Sequence, residues 1–180
     1  MVQANVFLVG MMGAGKSTVG KALARRLGRE FVDCDREIVE RTGVPVATIF
    51  EIEGEAGFRR RESAVLADLA ARPGVVVATG GGAVLDPENR RVMREHGTVV
   101  YLHAGLDHLH ERTRRDSSRP LLARGDRRAT LASLLEARDP LYREAAHIVV
   151  ESGVPSAGSL AGRIAELLEA SRRDAEAAAR

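Results

Sequence analysis

The sequence predicts an α/β fold: a three-layer sandwich in which a five-stranded parallel sheet lies between two layers of helices. Two observations carry that prediction. Short apolar runs alternate with helix-periodic stretches along the chain, the pattern of parallel strands joined by right-handed helical crossovers. The turn from the first run into the first helix, Gly10 to Thr18, reads G-M-M-G-A-G-K-S-T. It meets the phosphate-binding pattern G-x-x-x-x-G-K-[ST] at Gly10, Gly15, Lys16 and Ser17. The 180 residues suffice for one well-buried domain. No repeat or linker divides them, so residues 1–180 are expected to form a single domain.

Composition narrows the class. A hydrophobic fraction of 44% and a charged fraction of 29% suit a globular chain and argue against disorder. The single cysteine, Cys34, leaves no disulfide framework and no Cys-based metal site, and it fits a reducing cytosolic setting. Met1 leads almost directly into the first strand, so no signal peptide is expected. No apolar run approaches the ~18 residues of a membrane span, and a cytoplasmic protein is the expectation. The net charge is only +2 although the pI is near 9.1, because arginine dominates and Lys16 and Lys21 are the only lysines. Aromatics at 3% and acidic residues within the basic runs argue against nucleic-acid binding.

Taken in order, Val6–Val9 form the first strand. Val19, Leu23 and Leu27 then recur at helical spacing, and Gly28 ends the helix as a C-cap. Between them the backbone of Gly13, Ala14 and Gly15 can close round phosphate oxygens at a helix N-terminus that carries partial positive charge. Lys16 can reach the β- and γ-phosphates, and the Ser17 hydroxyl can ligate Mg²⁺, with Thr18 beside it. The second strand, Glu30–Val32, runs into Asp33-Cys34-Asp35. Ligands gather at such strand ends in open sheets, so the two carboxylates either face a ligand or Asp35 caps the next helix, Arg36–Thr42.

Gly43, Pro45 and Gly54 set off a short helical turn, Val46–Phe50, from a longer helix over Glu55–Ala71 with Phe58, Val65, Leu66 and Leu69 on one face. Arg59-Arg60-Arg61 point in different directions; one can face inward, although a wholly solvated run is the plainer alternative. After the third strand, Val75–Ala78, come Thr79-Gly80-Gly81-Gly82. Three glycines either admit a ligand close to the backbone or make a flexible turn. Asp86 and Pro87 supply the N-cap and first position of the following helix.

The fourth strand, Thr98–Leu102, leads to a helix over Leu106–Arg114. Residues 112–128 are polar and arginine-rich, with Leu121 and Leu122 the main apolar anchors. They form a candidate lid or an ordinary surface loop. Thr130–Arg138 is helical, and Asp139-Pro140 is expected to break it before Leu141–Ala146. His147–Val150 is the last strand. Leu160, Ile164, Leu167 and Leu168 mark a C-terminal helix, and residues 170–180, with no apolar face, are expected to fray. His96, His103, His108, His110 and His147 show no metal-ligand spacing and are read as structural or solvent-facing.

Several motifs follow one another in register: G-M-M-G-A-G-K-S-T, F-V-D-C-D at Phe31–Asp35, and G-E-A-G-F-R-R-R-E at Gly54–Glu62. G-G-G at Gly80–Gly82, R-P-L-L at Arg119–Leu122 and R-D-P-L-Y at Arg138–Tyr142 complete the set. On these motifs, spread from about Asn5 to Val150, the sequence closely resembles shikimate kinase, a small P-loop kinase of the nucleoside-monophosphate-kinase type. The resemblance implies transfer of the ATP γ-phosphoryl group to the 3-hydroxyl of shikimate, on the route to chorismate and the aromatic amino acids. It implies that Arg59 and Arg138 hold the shikimate carboxylate, as two guanidinium forks suit it. Asp35 would accept hydrogen bonds from the ring hydroxyls and act as base. Gly80, Gly81 and Gly82 would let the backbone approach the ring, within a substrate-binding segment over residues 33–61.

For the nucleotide, the resemblance implies that Asp33 holds Mg²⁺ through water beside Ser17, and that Arg119 closes from the lid onto the phosphates alongside Lys16. Arg112 would lie against the adenine. The segment Glu151–Ser156 reads E-S-G-V-P-S, without the basic residue common in the family there, and Pro155 would pack on the base instead. The partners implied are shikimate and ATP, with no nucleic acid or membrane, and a monomer. A kinase of another polyol acid such as gluconate is the alternative. A nucleotide-binding module without catalysis is a second, and Lys16, Ser17, Asp33, Asp35 and Arg119, all present, speak against it.

Overall fold

The centre of the sheet is β1 (Asn5–Val9), all five residues of which are buried. The computed structural model describes residues 4–114, 120–122, 125–153 and 156–178. On one side of β1 lies β3 (Val76–Ala78) and on the other β4 (Gly97–His103); β2 (Phe31–Asp33) and β5 (Ile148–Glu151) form the edges. The order is β2-β3-β1-β4-β5 and every pairing is parallel, with Val6 opposite Val76 and Thr98. The apolar runs of β1, β3 and β4 are buried on both faces, which is why they read as continuous hydrophobic stretches rather than alternating ones. The predicted α/β sandwich with five parallel strands is therefore the observed fold, with strand ends displaced by a residue or so.

Helix α1 (Lys16–Leu27) follows β1, and Gly28 caps its C-terminus in the left-handed region. It packs against α7 (Ala157–Ala178). Helix α4 (Pro87–His96) packs on both α3 (Val46–Ala70) and α6 (Arg127–Ala145), with α5 (Leu106–Thr113) beside α6 and α2 (Cys34–Thr42) beside α3. The buried Asn5 joins three elements: its amide donates to the Ala70 carbonyl at 3.0 Å and its oxygen accepts from Val75 N–H at 2.9 Å. Asp86 caps α4 by accepting from Glu88 N–H, with Pro87 in the first turn, as expected.

Four features depart from the sequence expectations. Helix α2 begins at Cys34, and its N-cap is Asp33, not Asp35. The predicted short turn and long helix meet directly in α3, separated only by a break at Gly54 with φ 69 and ψ −179. Helix α6 runs through Pro140 without stopping. Proline removes one helical hydrogen bond, but Leu131, Arg138, Tyr142 and Ala145 are buried on both sides of it. Tyr101 also donates to Asp139 Oδ1 at 2.8 Å, so tertiary contacts hold both halves in line. Lastly, α7 continues to Ala178 where fraying was expected. Those turns are exposed, but they are rich in alanine and arginine, good helix formers, and Arg172 pairs with Glu176 one turn on.

Candidate active site

The phosphate-binding loop leaves β1 and turns into α1 at Gly15, whose φ of 92 favours glycine. The first turn of α1 carries no acidic residue, so its positive end is unopposed by the helix's own side chains. Lys16 Nζ donates to the carbonyls of Gly10 at 2.7 Å and Met11 at 2.9 Å, holding the ammonium against its own loop. Gly13, Gly15, Lys16, Ser17 and Thr18 line one concave wall, while Ala14 is buried beneath it. Asp33, Asp35, Thr79, Gly81 and Arg112 complete the surface. Arg112 reaches it from the end of α5: its Nη2 lies 3.5 Å from where a Cβ on Gly15 would stand.

Asp33 has two duties. Its Oδ1 accepts from the N–H groups of Asp35 at 3.1 Å and Arg36 at 3.2 Å, capping α2. Its Oδ2 accepts the Ser17 hydroxyl. A hydroxyl and a carboxylate thus meet beside the phosphate loop. Among the described residues no group of three or more His, Cys, Asp or Glu could hold a metal ion. This donor set suits Mg²⁺, which keeps waters and phosphate oxygens and takes few protein ligands; it does not suit a metal needing an all-protein cage.

A second cavity adjoins the first. Its charged wall is Asp35, Arg59, Glu62 and Arg138, its floor Gly80–Gly82, and its apolar wall Met12, Val46, Phe50, Phe58 and Leu121. Asp35 and Gly81 line both cavities. Arg138 on α6 is only 3% exposed, and its Nη1 has no hydrogen-bond partner. Leaving a buried guanidinium donor unpaired is costly, so this corner of the pocket is built for an anion. Arg59 also faces it, held by Glu62 at 2.8 Å and Glu55 at 3.1 Å. Of the three consecutive arginines it is the inward one; Arg60 and Arg61 are exposed.

Glu62 has no exposed surface. Burial pushes its carboxyl above the ordinary range, opposed chiefly by Arg59, while Asp35 adds to the rise and Arg138 offsets it. Cys34 lies in the same interior; burial, then the charges of Glu62 and Asp35, push its thiol well up, which leaves it protonated and inert.

The glycine turn proves to be a matter of space. None of Gly80, Gly81 and Gly82 has a positive φ. A Cβ on Gly80 would overlap Glu62 Oε1, and one on Gly82 would overlap the Arg59 guanidinium. One on Gly81 would stand 3.5 Å from both Arg138 Nη1 and Met12 N. Gly80 and Gly82 each let a charged side chain close onto the turn, so these two serve the site's own charges as well as any ligand, whereas at Gly81 the contacts would be ordinary ones.

The structure thus brings Lys16, Ser17, Asp33, Asp35, Arg59, Gly80–Gly82, Arg112 and Arg138 together from six regions of the chain. Arg119 and Pro155 lie outside the described residues. So does much of the predicted lid; of it, α5 ends at Thr113, Leu121 reaches the second cavity, and Leu122 is buried. Sequence reasoning missed Glu62, Met12, Phe50 and Tyr142. Glu62 carried a signal, an acid one helical turn after an arginine; Tyr142, one turn after Arg138, carried one too. Met12 and Phe50 had none beyond hydrophobicity.

Comparison with known proteins agrees with this geometry. The family model described as shikimate kinase matches residues 12–169. A shikimate kinase of Nitrosospira multiformis is 57% identical over 94% of this chain and 87% of its own length. The structure of a shikimate kinase from Acinetobacter baumannii in complex with shikimate superposes with a TM-score of 0.92 at 47% identity, covering 94% of both chains. A gluconokinase from Sinorhizobium meliloti, at 24% identity and TM-score 0.58, shares the fold alone.

Proposed function

The chain belongs to the shikimate kinase family, and on that premise we propose how its own residues move the γ-phosphoryl group of ATP to the 3-hydroxyl of shikimate. The observation that carries the assignment of roles is the junction of the two cavities at Asp35 and Gly81. One cavity offers backbone donors and a lysine suited to phosphates. The other offers two guanidinium groups suited to a carboxylate. The junction is where a hydroxyl of one ligand would meet the terminal phosphate of the other.

In this reading Gly13, Ala14, Gly15 and Thr18 cradle the phosphates, with Lys16 turning from its loop carbonyls onto the β- and γ-oxygens. Arg112 flanks the adenine. Arg138 and Arg59 hold the shikimate carboxylate, and Glu62 keeps Arg59 aimed. Gly80–Gly82 and the apolar wall of Met12, Phe50 and Phe58 bound the ring. The 3-hydroxyl oxygen attacks the γ-phosphorus as the bond to the β-phosphate bridging oxygen breaks. The hydroxyl proton passes to Asp35, and the products are shikimate 3-phosphate and ADP. Ser17 and Asp33 would hold Mg²⁺, which when bound neutralises charge across the β- and γ-phosphates. Arg119 and Pro155 lie outside the described residues, and the family resemblance alone assigns them to the phosphates and the base. Positioning and charge stabilisation supply most of the catalysis in such transfers.

A monomer acting in the cytoplasm completes the reading. Supporting it, the exposed large apolar residues Ile52, Leu85, Val149 and Leu167 sit on four separate segments rather than in one element. No helix among the described residues is long and apolar enough to cross a membrane. The test is a coupled ADP-release assay with Mg-ATP and shikimate, gluconate or neither. Release only with shikimate is expected. Equal release with and without it, or release only with gluconate, sinks the reading.

A further inference from the structure

Helix α6 places Tyr142 one turn after Arg138, and both are buried. The Tyr142 hydroxyl donates to the Gly81 carbonyl at 2.5 Å. Its ring stacks on Tyr101 with centroids 4.9 Å apart, and the Tyr101 hydroxyl is anchored in turn on Asp139 at 2.8 Å. The ring has no freedom to swing, so the position of its oxygen is set by the helix. Burial pushes the hydroxyl up to about 12, with Arg138 the first of the groups that oppose the rise; it stays a protonated donor throughout the neutral range.

The residue it grips is one of the two that both cavities share. A Cβ on Gly81 would stand 3.5 Å from Arg138 Nη1 and from Met12 N, and 3.7 Å from the Gly10 carbonyl. The Gly81 backbone is therefore wedged between the phosphate loop and the anion-binding arginine. A shift of a few tenths of an ångström there alters the span between the two. Phenylalanine would fill the same core volume, so packing gives no reason for a buried oxygen at this position.

We propose that Tyr142 is a positioning residue for the acceptor: its hydroxyl ties the Gly81 carbonyl to the helix that carries Arg138, fixing the span between the carboxylate fork and the point of transfer. The inference rests on the second cavity being the shikimate site. Tyr142 touches neither substrate; it acts through Gly81 and Arg138. Without the bond, the glycine turn and α6 can drift apart, and shikimate no longer meets the arginine and the backbone at one spacing. ATP, held by the loop and α1, is not affected.

The test is steady-state kinetics of the full chain and Tyr142→Phe, each substrate varied in turn, with shikimate affinity by calorimetry and thermal melts alongside. In Tyr142→Phe the KM and Kd for shikimate should rise roughly tenfold, the scale of one well-placed hydrogen bond. The KM for ATP should stay within about twofold. Tyr101→Phe, which keeps the stack and leaves the Gly81 contact intact, is the control for packing and should keep its shikimate KM within about twofold. An unchanged shikimate KM in Tyr142→Phe overturns the inference. So does an equal rise in both KM values, or an equal rise in Tyr101→Phe, because the effect then belongs to general packing. If the unmodified protein releases no ADP in response to shikimate, the functional reading falls and this inference with it. An active protein with an unaffected Tyr142→Phe sinks this inference alone.

Discussion

Asp35 and Arg138 line one cavity, yet substitution should separate their roles. Arg138→Lys keeps a positive charge but loses the planar fork that can engage a carboxylate twice. It should weaken shikimate binding by about 1–3 kcal/mol, the scale of a charged hydrogen bond. Asp35→Asn preserves the shape and some hydrogen bonding but removes any base. It should still bind shikimate in calorimetry while turnover falls ~10²–10⁴-fold. If Asp35→Asn instead keeps near-normal kcat, the transfer runs without a protein base, and Asp35 only orients the hydroxyl. The capping role offers no escape from this test, because Asp33, not Asp35, caps α2. That pair also shows the limit of residue-level reading. Two aspartates separated by one residue are equally good caps in sequence, and only the path of the chain decides that Asp33 caps the helix while both carboxylates line the pocket.

Within α3 the controlling feature is the break at Gly54. Its φ of 69 and ψ of −179 lie in a region that only glycine enters readily. A Cβ there would meet nothing within 4 Å, so the demand is on the backbone alone. Glu53 before the break receives both Arg61 Nε at 2.9 Å and Arg61 Nη2 at 2.6 Å after it. Phe50 and Phe58 meet across it with ring centroids 4.8 Å apart. The half of the helix before Gly54 carries Val46 and Phe50 to the second cavity, so its angle sets the apolar wall. Gly54→Ala should cost about 1–3 kcal/mol in stability. It should also raise the shikimate KM more than the ATP KM as the first half re-aims. Melting curves and two-substrate kinetics check this. A lowered melting temperature with unchanged KM values would reduce the break to a purely structural bend. Glycine in the sequence marked the break; that its two sides are tied by Arg61 and by two aromatic rings was not visible there, because those partners meet only after the chain turns.

At the scale of the whole molecule, stability should depend on pH through His147, at the entry to β5. Val99 N–H donates to His147 Nδ1 at 3.0 Å, which requires that nitrogen unprotonated. Burial, then the charge of Arg94, hold the imidazole below its ordinary 6.5. A histidine depressed in the fold favours the unfolded chain when it protonates. Its contribution is therefore present above about pH 6.5 and lost as pH falls through the depressed value. Urea midpoints should decline between about pH 7 and 5, and His147→Gln should flatten that decline; parallel curves for the two proteins would remove His147 as the cause. The sequence by itself determined the sheet, the phosphate loop and most of the charged site. Apolar runs, glycine spacing and residue type act locally, and the phosphate loop, the aspartate pair and the glycine turn stand at strand ends, where the topology must gather ligands. Only the tertiary structure decided that α6 passes through Pro140, because buried contacts on both sides outweigh one lost hydrogen bond. It alone revealed the ion pair of Glu62 with Arg59, the Tyr142 bond to Gly81 and the crowding at Gly80 and Gly82. These are relations between segments distant in the chain, and burial, which gives a charge or a hydroxyl its energetic weight, exists only once those segments have packed.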